Sequence, residues 1–217
     1  MDNNMEKQNS IIAFGAHPDD IEIGLGGTLK RLSQNSREII MVIATIPNQK
    51  EIRRKESENA ARMLGVSRLI HVNIPLDDFG FNRKTIGEID DLLNRHQPST
   101  VFTHWRGDSH QDHVNLTSCV LAGARHNHFN VYMYEQTIPG GITDASFRPQ
   151  LFIDITPHLE DKIKSIKLHA SQCAKYGDGW LEGLRGRAAH RGYQIKTKFA
   201  EAFEVVKIKE DTALFTP

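Results

Sequence analysis

Ile11-Ile12-Ala13-Phe14-Gly15-Ala16-His17-Pro18-Asp19-Asp20 is the stretch that decides the fold. The apolar run Ile11 to Gly15 reads as a buried strand, and Ile21 to Leu32 after it reads as a helix. A histidine and two carboxylates therefore stand at the carboxyl end of the first strand, where open α/β sheets place their ligands. Pro18 suits the first turn of a helix, and Asp19 and Asp20 complement the positive end of its dipole. On that account the acids serve only the helix. His17 and Asp20, three apart, could equally face the same way and grip a divalent cation. The tetrapeptide alone leaves both accounts standing.

Downstream, Arg37 to Ala44 reads as a second buried strand and Gln49 to Leu64 as a helix, with Ile52, Ala60, Met63 and Leu64 inward and Gly65 as its stop. A third strand, Arg68 to Val72, leads through an irregular stretch to a helix over Thr85 to His96. A fourth strand follows at Ser99 to Thr103. Strand alternates with helix, so the expected fold is α/β: one Rossmann-like sheet, mostly parallel, with helices on both faces. The later elements are a helix over His113 to Arg125, strands at Val131 to Tyr134 and Phe152 to Ile155, and a helix from Thr156 to about Ala170. Phe199 to Val206 reads as a closing strand or short helix, and residues 176–192, rich in Gly, Arg and His, fit no element. The 217 residues contain no linker or repeat, so one domain is expected, with residues 1–9 as a flexible tail.

Strand four runs into Thr103-His104-Trp105-Arg106-Gly107-Asp108-Ser109-His110-Gln111-Asp112-His113. Such a run is poor core material, and a merely solvated loop would more often carry Lys, Glu and Asn. In doubly wound sheets the strands beginning the two halves lie side by side, and the ligand crevice opens between them. Strands one and four are the candidates, each ending in a His/Asp cluster. A catalytic zinc takes three protein ligands and keeps a position open. His17, Asp20 and His113 could supply them, leaving Asp19, Asp112 and His110 for proton transfer and support.

These residues resemble the LmbE-like (PIG-L-type) zinc-dependent N-deacetylases. His17-Pro18-Asp19-Asp20 with Glu22 and Gly26-Gly27-Thr28 resembles the first signature, and His110-Gln111-Asp112-His113 the second, with Gln111 where proline is common. Arg53-x-x-Glu56 with Ala60 and Leu64-Gly65 is similar to a weaker third. Lys167-x-His169-x-Ser171-Gln172 and Ala200-Glu201-Ala202-Phe203 are similar to late features. The resemblance implies hydrolysis of an N-acetyl group, usually on an N-acetylglucosamine-type sugar or conjugate. It implies one Zn2+ per chain, or another divalent cation, on His17, Asp20 and His113. Asp19 would be the general base, and His110 a charged helper with Asp112 as its partner. The spacing of Asp112 from His110 is in turn the reason to expect that Asp112 keeps His110 protonated.

Arg53 could bind sugar or phosphate oxygens, or only pair with Glu56 one helical turn away. Asp78 could take a sugar hydroxyl or merely shape a turn beside Gly80. Trp105 could stack on a sugar or form a hydrophobic wall. Arg185, Arg187, His190 and Arg191 could face an anionic substrate, solvent or another subunit, and a homo-oligomer stays open.

Lys+Arg and Asp+Glu both total 27, so nothing in the net charge points to nucleic acid or an anionic membrane. The longest apolar run, Ile39 to Ile46, is too short to span a bilayer, and the polar amino terminus lacks the core of a signal peptide. Cys119 and Cys173 form no pairwise metal motif, so a reduced, cytoplasmic setting is expected. Among rivals, a dinucleotide-binding oxidoreductase fails on glycine spacing, since Leu29 falls where the third glycine belongs. A two-metal phosphoesterase and a catalytically silent sugar-binding relative remain as alternatives.

Overall fold

The computed structural model of the protein describes residues 10–35, 37–126, 128–136 and 146–209, so the expected tail over residues 1–9 lies outside it. Among the described residues seven strands form one sheet: β1 (Ile11–Gly15), β2 (Ile39–Ile43), β3 (Arg68–His71), β4 (Thr100–His104), β5 (Asn130–Tyr134), β6 (Leu151–Asp154) and β7 (Ala200–Lys207). Their order is β3-β2-β1-β4-β5-β7-β6. Strands β1 to β5 pair parallel, and β7 runs antiparallel between β5 and β6. β1 and β4 are thus neighbours, and the strand order reverses between them, as expected for a ligand crevice.

Every residue of β1 and β2 is buried, because helices cover both faces. Ile11 and Ala13 point with Ile39 and Met41 toward helices α1 (Asp20–Ser33), α5 (Leu159–Lys167) and α7 (Asp178–Gln194). Ile12 and Phe14 point with Ile40 and Val42 toward α3 (Arg83–His96) and α4 (Gln111–Ala124). Each of these side chains except the small Ala13 contributes about 1.5–3 kcal/mol on leaving water. Helix α2 (Lys50–Leu64) buries Ala60 and Leu64 as expected, but Ile52 is 55% exposed and turns outward. None of the described helices is long and apolar enough to cross a membrane.

Helix α1 is bent at Leu25, whose φ of −145° and ψ of 22° are not helical. The bend gives the second half of α1 its own amino terminus. Glu201 on β7 accepts from the amides of Gly27 and Thr28 at 3.0 and 2.7 Å, and Lys162 on α5 balances its charge at 2.5 Å. Gly24 sits where a Cβ would fall 2.2 Å from the Tyr134 ring, so only glycine lets α1 approach β5.

The single helix expected from Thr156 to Ala170 is broken. A 3-10 turn (Thr156–His158) leads into α5, and α6 (Ala170–Tyr176) starts anew after His169. The break follows from buried polar contacts. His169 turns inward to Glu22 at 3.0 Å, and Glu56 accepts from the Ser171 amide and hydroxyl at 2.8 and 2.7 Å. The unassigned stretch after Tyr176 is helix α7, and the closing element is strand β7.

Candidate metal centre

The turn after β1 is pinned by its own carboxylate: Asp20 Oδ2 accepts from the His17 amide at 2.7 Å. Asp19 between them is left-handed, with φ at 99°, a conformation that costs a non-glycine residue about 1–2 kcal/mol. After β4, His110 caps α4, and the first turn of that helix carries Asp112 and His113. Because β1 and β4 adjoin, the two turns meet.

His17, Asp20 and His113 each offer a ligand atom, and all three atoms lie within 4.8 Å of one another. His17, His110 and Asp112 form a second such group that shares His17. Asp108 Oδ1 lies 3.3 Å from Nδ1 of His113, which orients that ring and leaves Nε2, 3.5 Å from Asp20 Oδ1, for a ligand. Behind it His104 is fully buried and stacks on His113 at 3.9 Å between ring centres. Its Nε2 accepts from the Ala16 amide at 3.0 Å, and burial with the His113 charge drives it down to about 4, so this ring is neutral.

Burial opposes ionisation of Asp20, but the charge on His113 holds it well below the usual carboxylate range. Burial likewise opposes the charge on His113, yet Asp20 and Asp108 raise it to about 10. A proton thus occupies His113 at the point where an anionic oxygen and two imidazoles converge. That mixed N/O donor set fits a divalent cation of the zinc type, which would take the place of the proton.

Asp19 stands beside the cluster, 7% exposed. Burial and the Asp20 charge push it up to about 7, against the pull of His169 and Arg53. Arg53 donates to the Pro18 carbonyl at 2.8 Å and lies 3.5 Å from Asp19 Oδ1. It does not pair with Glu56, which is engaged with Ser171. The cluster floors a pocket of about 400 Å³, a volume within the range of small-molecule sites. Its outer wall is Gln172, Lys175 and Tyr176 of α6 with Trp180 of α7.

Three expectations need correction. The Asp112 carboxylate faces His17, with Oδ2 2.9 Å from Nε2, rather than His110. His110 Nδ1 accepts from the Asp112 amide at 3.2 Å, which an imidazolium cannot do, and burial with His113 and His17 lowers its pKa. Asp78 is exposed on a 3-10 turn, paired with Lys84 at 2.6 Å, and lines no part of the pocket. Trp105 is buried edge-on against Phe147 at 5.7 Å, so it is a hydrophobic wall and not a sugar platform.

The arginines of α7 are largely internal as well. Arg191 holds Glu135 through two hydrogen bonds of 3.0 and 2.8 Å, and Arg187 donates to the carbonyls of Gln136 and Ile23. Arg185 pairs on the surface with Glu160. Sequence reasoning missed His104, Asp108 and Gln136 as neighbours of the ligand group. The first two lay within the quoted cluster after β4, whereas Gln136 had no signal at all.

Residues 12–124 match the family model described as PIG-L, GlcNAc-PI de-N-acetylase. The chain is 31% identical over 188 residues to the uncharacterized deacetylase YaiS of Escherichia coli, covering 76% of this chain and 92% of that protein. It is 24% identical to the diacetylchitobiose deacetylase of Thermococcus kodakarensis, covering 90% of this chain and 82% of the other. A solved structure of the N,N'-diacetylchitobiose deacetylase of Pyrococcus horikoshii superimposes with a TM-score of 0.78 at 25% identity, covering 98% of this chain and 91% of that one.

Proposed function

The chain belongs to the PIG-L family, and on that footing we propose that it is a zinc-dependent hydrolase that removes the N-acetyl group from an N-acetylglucosamine-type amino sugar or sugar conjugate. The observation that carries this reading is the convergence of His17, Asp20 and His113 beside Asp19 on the floor of one pocket. Held by those three residues, zinc would supply Lewis acidity toward a carbonyl oxygen and toward water. Asp19 takes the proton from the attacking water, a role suited to a carboxylate raised toward neutrality, and can return it to the departing amine. With Nδ1 accepting from the Asp112 amide, His110 keeps its proton on Nε2 and offers a donor to negative charge growing on the carbonyl oxygen. Asp112 orients His17. Arg53 binds polar groups of the substrate at the pocket wall. The setting is read as cytoplasmic from the two unpaired cysteines.

Elemental analysis and an acetate-release screen over N-acetylated sugars test this reading. We expect one zinc per chain in the wild type, its loss in His113→Ala, and acetate release that a chelator abolishes. Two tightly held ions, or full metal retention in His113→Ala, would overturn the ligand assignment. The two-metal alternative draws on the second group of His17, His110 and Asp112, but both groups need His17. Phosphate release from monoesters without acetate release would favour it.

A further inference from the structure

Tyr176 and Trp180 meet at the corner between α6 and α7. Gly177 turns that corner with φ at 73°, a left-handed conformation that glycine takes without strain. The turn sets Tyr176, the last residue of α6, against Trp180 in the first turn of α7. Their ring centres are 5.2 Å apart and their planes tilted by 47°. Both residues line the pocket whose floor is the metal cluster, and Tyr176 is 51% exposed. Trp180 also packs against the core that holds Ile23 and Leu184, so it is anchored from within. Lys175 Nζ lies 4.7 Å over the Tyr176 ring and donates to its hydroxyl at 3.0 Å, which steadies that ring as well.

The pocket is amphipathic. Ile23, Tyr176 and Trp180 give it apolar surface, while Arg53, Asn48 and Gln172 bring hydrogen-bonding groups. A pyranose has the same character: its ring C–H groups form an apolar face, and its hydroxyls project from the edge. The electron-rich face of an aromatic ring attracts such C–H groups. We propose that Trp180 and Tyr176 hold a second sugar ring, next to the one whose acetamide reaches the metal cluster, so that the substrate is a disaccharide or longer glycan and not a single amino sugar. The inference rests on the deacetylase reading and adds a subsite to it. The acetamide must reach the floor beside Asp19, whereas the aromatic pair belongs to the outer wall. The ring that bears the acetamide therefore lies toward the floor, and the next unit meets the aromatic pair. Binding energy gathered there, away from the bond that breaks, holds the amide in register.

The test compares N,N'-diacetylchitobiose with the methyl glycoside of N-acetylglucosamine on the zinc-loaded chain. The wild type should favour the disaccharide in kcat/KM. Trp180→Leu keeps apolar bulk against the core but loses the flat ring, and the disaccharide-to-monosaccharide ratio should fall about 3- to 10-fold. Trp180→Phe should keep most of the preference, and zinc content should be the same in all three. Calorimetric titration of zinc-loaded Asp19→Asn with both sugars gives a readout without turnover. The disaccharide should bind more tightly, and adding Trp180→Leu should remove the difference. A wild type that treats the two sugars alike, equal losses on both in Trp180→Leu, or a preference that Trp180→Leu leaves intact would reduce the pair to packing and overturn the subsite alone. Failure of both sugars to bind would overturn it too. A zinc-loaded wild type that binds the disaccharide and releases acetate from neither sugar would instead overturn the deacetylase reading.

Discussion

Asp19 combines a left-handed backbone with a buried carboxyl. Asparagine tolerates that backbone as well as aspartate does, so Asp19→Asn should fold and keep its metal. An amide cannot take the proton from water, and turnover should drop about 10²–10⁴-fold. Turnover within a few-fold of the wild type would leave Asp19 a mere helix-terminal carboxylate. His113 carries a second prediction. Raised to about 10, above its unfolded value of 6.5, its charge stabilises the metal-free chain fully below pH 6.5, and that contribution is lost as pH climbs through 10. Urea unfolding of metal-free wild type and His113→Gln across pH 6–10 should show the gap between them closing as pH rises. Zinc uptake should release a proton, visible as buffer-dependent heat in calorimetry. That His17, Asp20 and His113 would converge was legible because chemistry restricts which side chains suit a divalent cation. The direction of Asp112 was not, because two residues of spacing at a helix start do not fix which histidine a carboxylate meets.

At the scale of elements, the bent helix α1 shows what a motif can hide. Gly26-Gly27-Thr28 stood out in the sequence, but its partner Glu201 lies far along the chain, on a stretch that read equally as a strand or a short helix. Glu201→Leu strands Lys162 as a buried charge and leaves two amides unanswered. It should cost about 3–5 kcal/mol in urea unfolding, and adding Lys162→Met should recover part of that. An unchanged midpoint in the single variant would show that the bend stands without its cap. Helix α7 escaped sequence reading for a related reason. Gly183 and Gly186 weaken its pattern, and Arg187 and Arg191 face inward, where arginine is read as a mark of solvent.

Over the whole molecule, the parallel half of the sheet was legible because its strands are short apolar runs alternating with helices. The far edge was not, because β7 inserts between β5 and β6 and no local pattern announces such a return. Metal should stabilise the whole: zinc at about 100 times its Kd adds about 2.7 kcal/mol, seen as a rise in Tm that a chelator reverses. The pocket draws its floor from residues 17 to 113 together with Gln136, and its outer wall from residues 172 to 180 much further along the chain. The family match ends at residue 124, before that wall begins. The cluster of His17, Asp20 and His113 and the outer wall therefore come from separate segments of the chain. Exchanging residues 172–180 for the matching piece of a relative, with the anchors His169 and Ser171 kept, should redirect which acetylated sugar is cut and leave zinc content untouched.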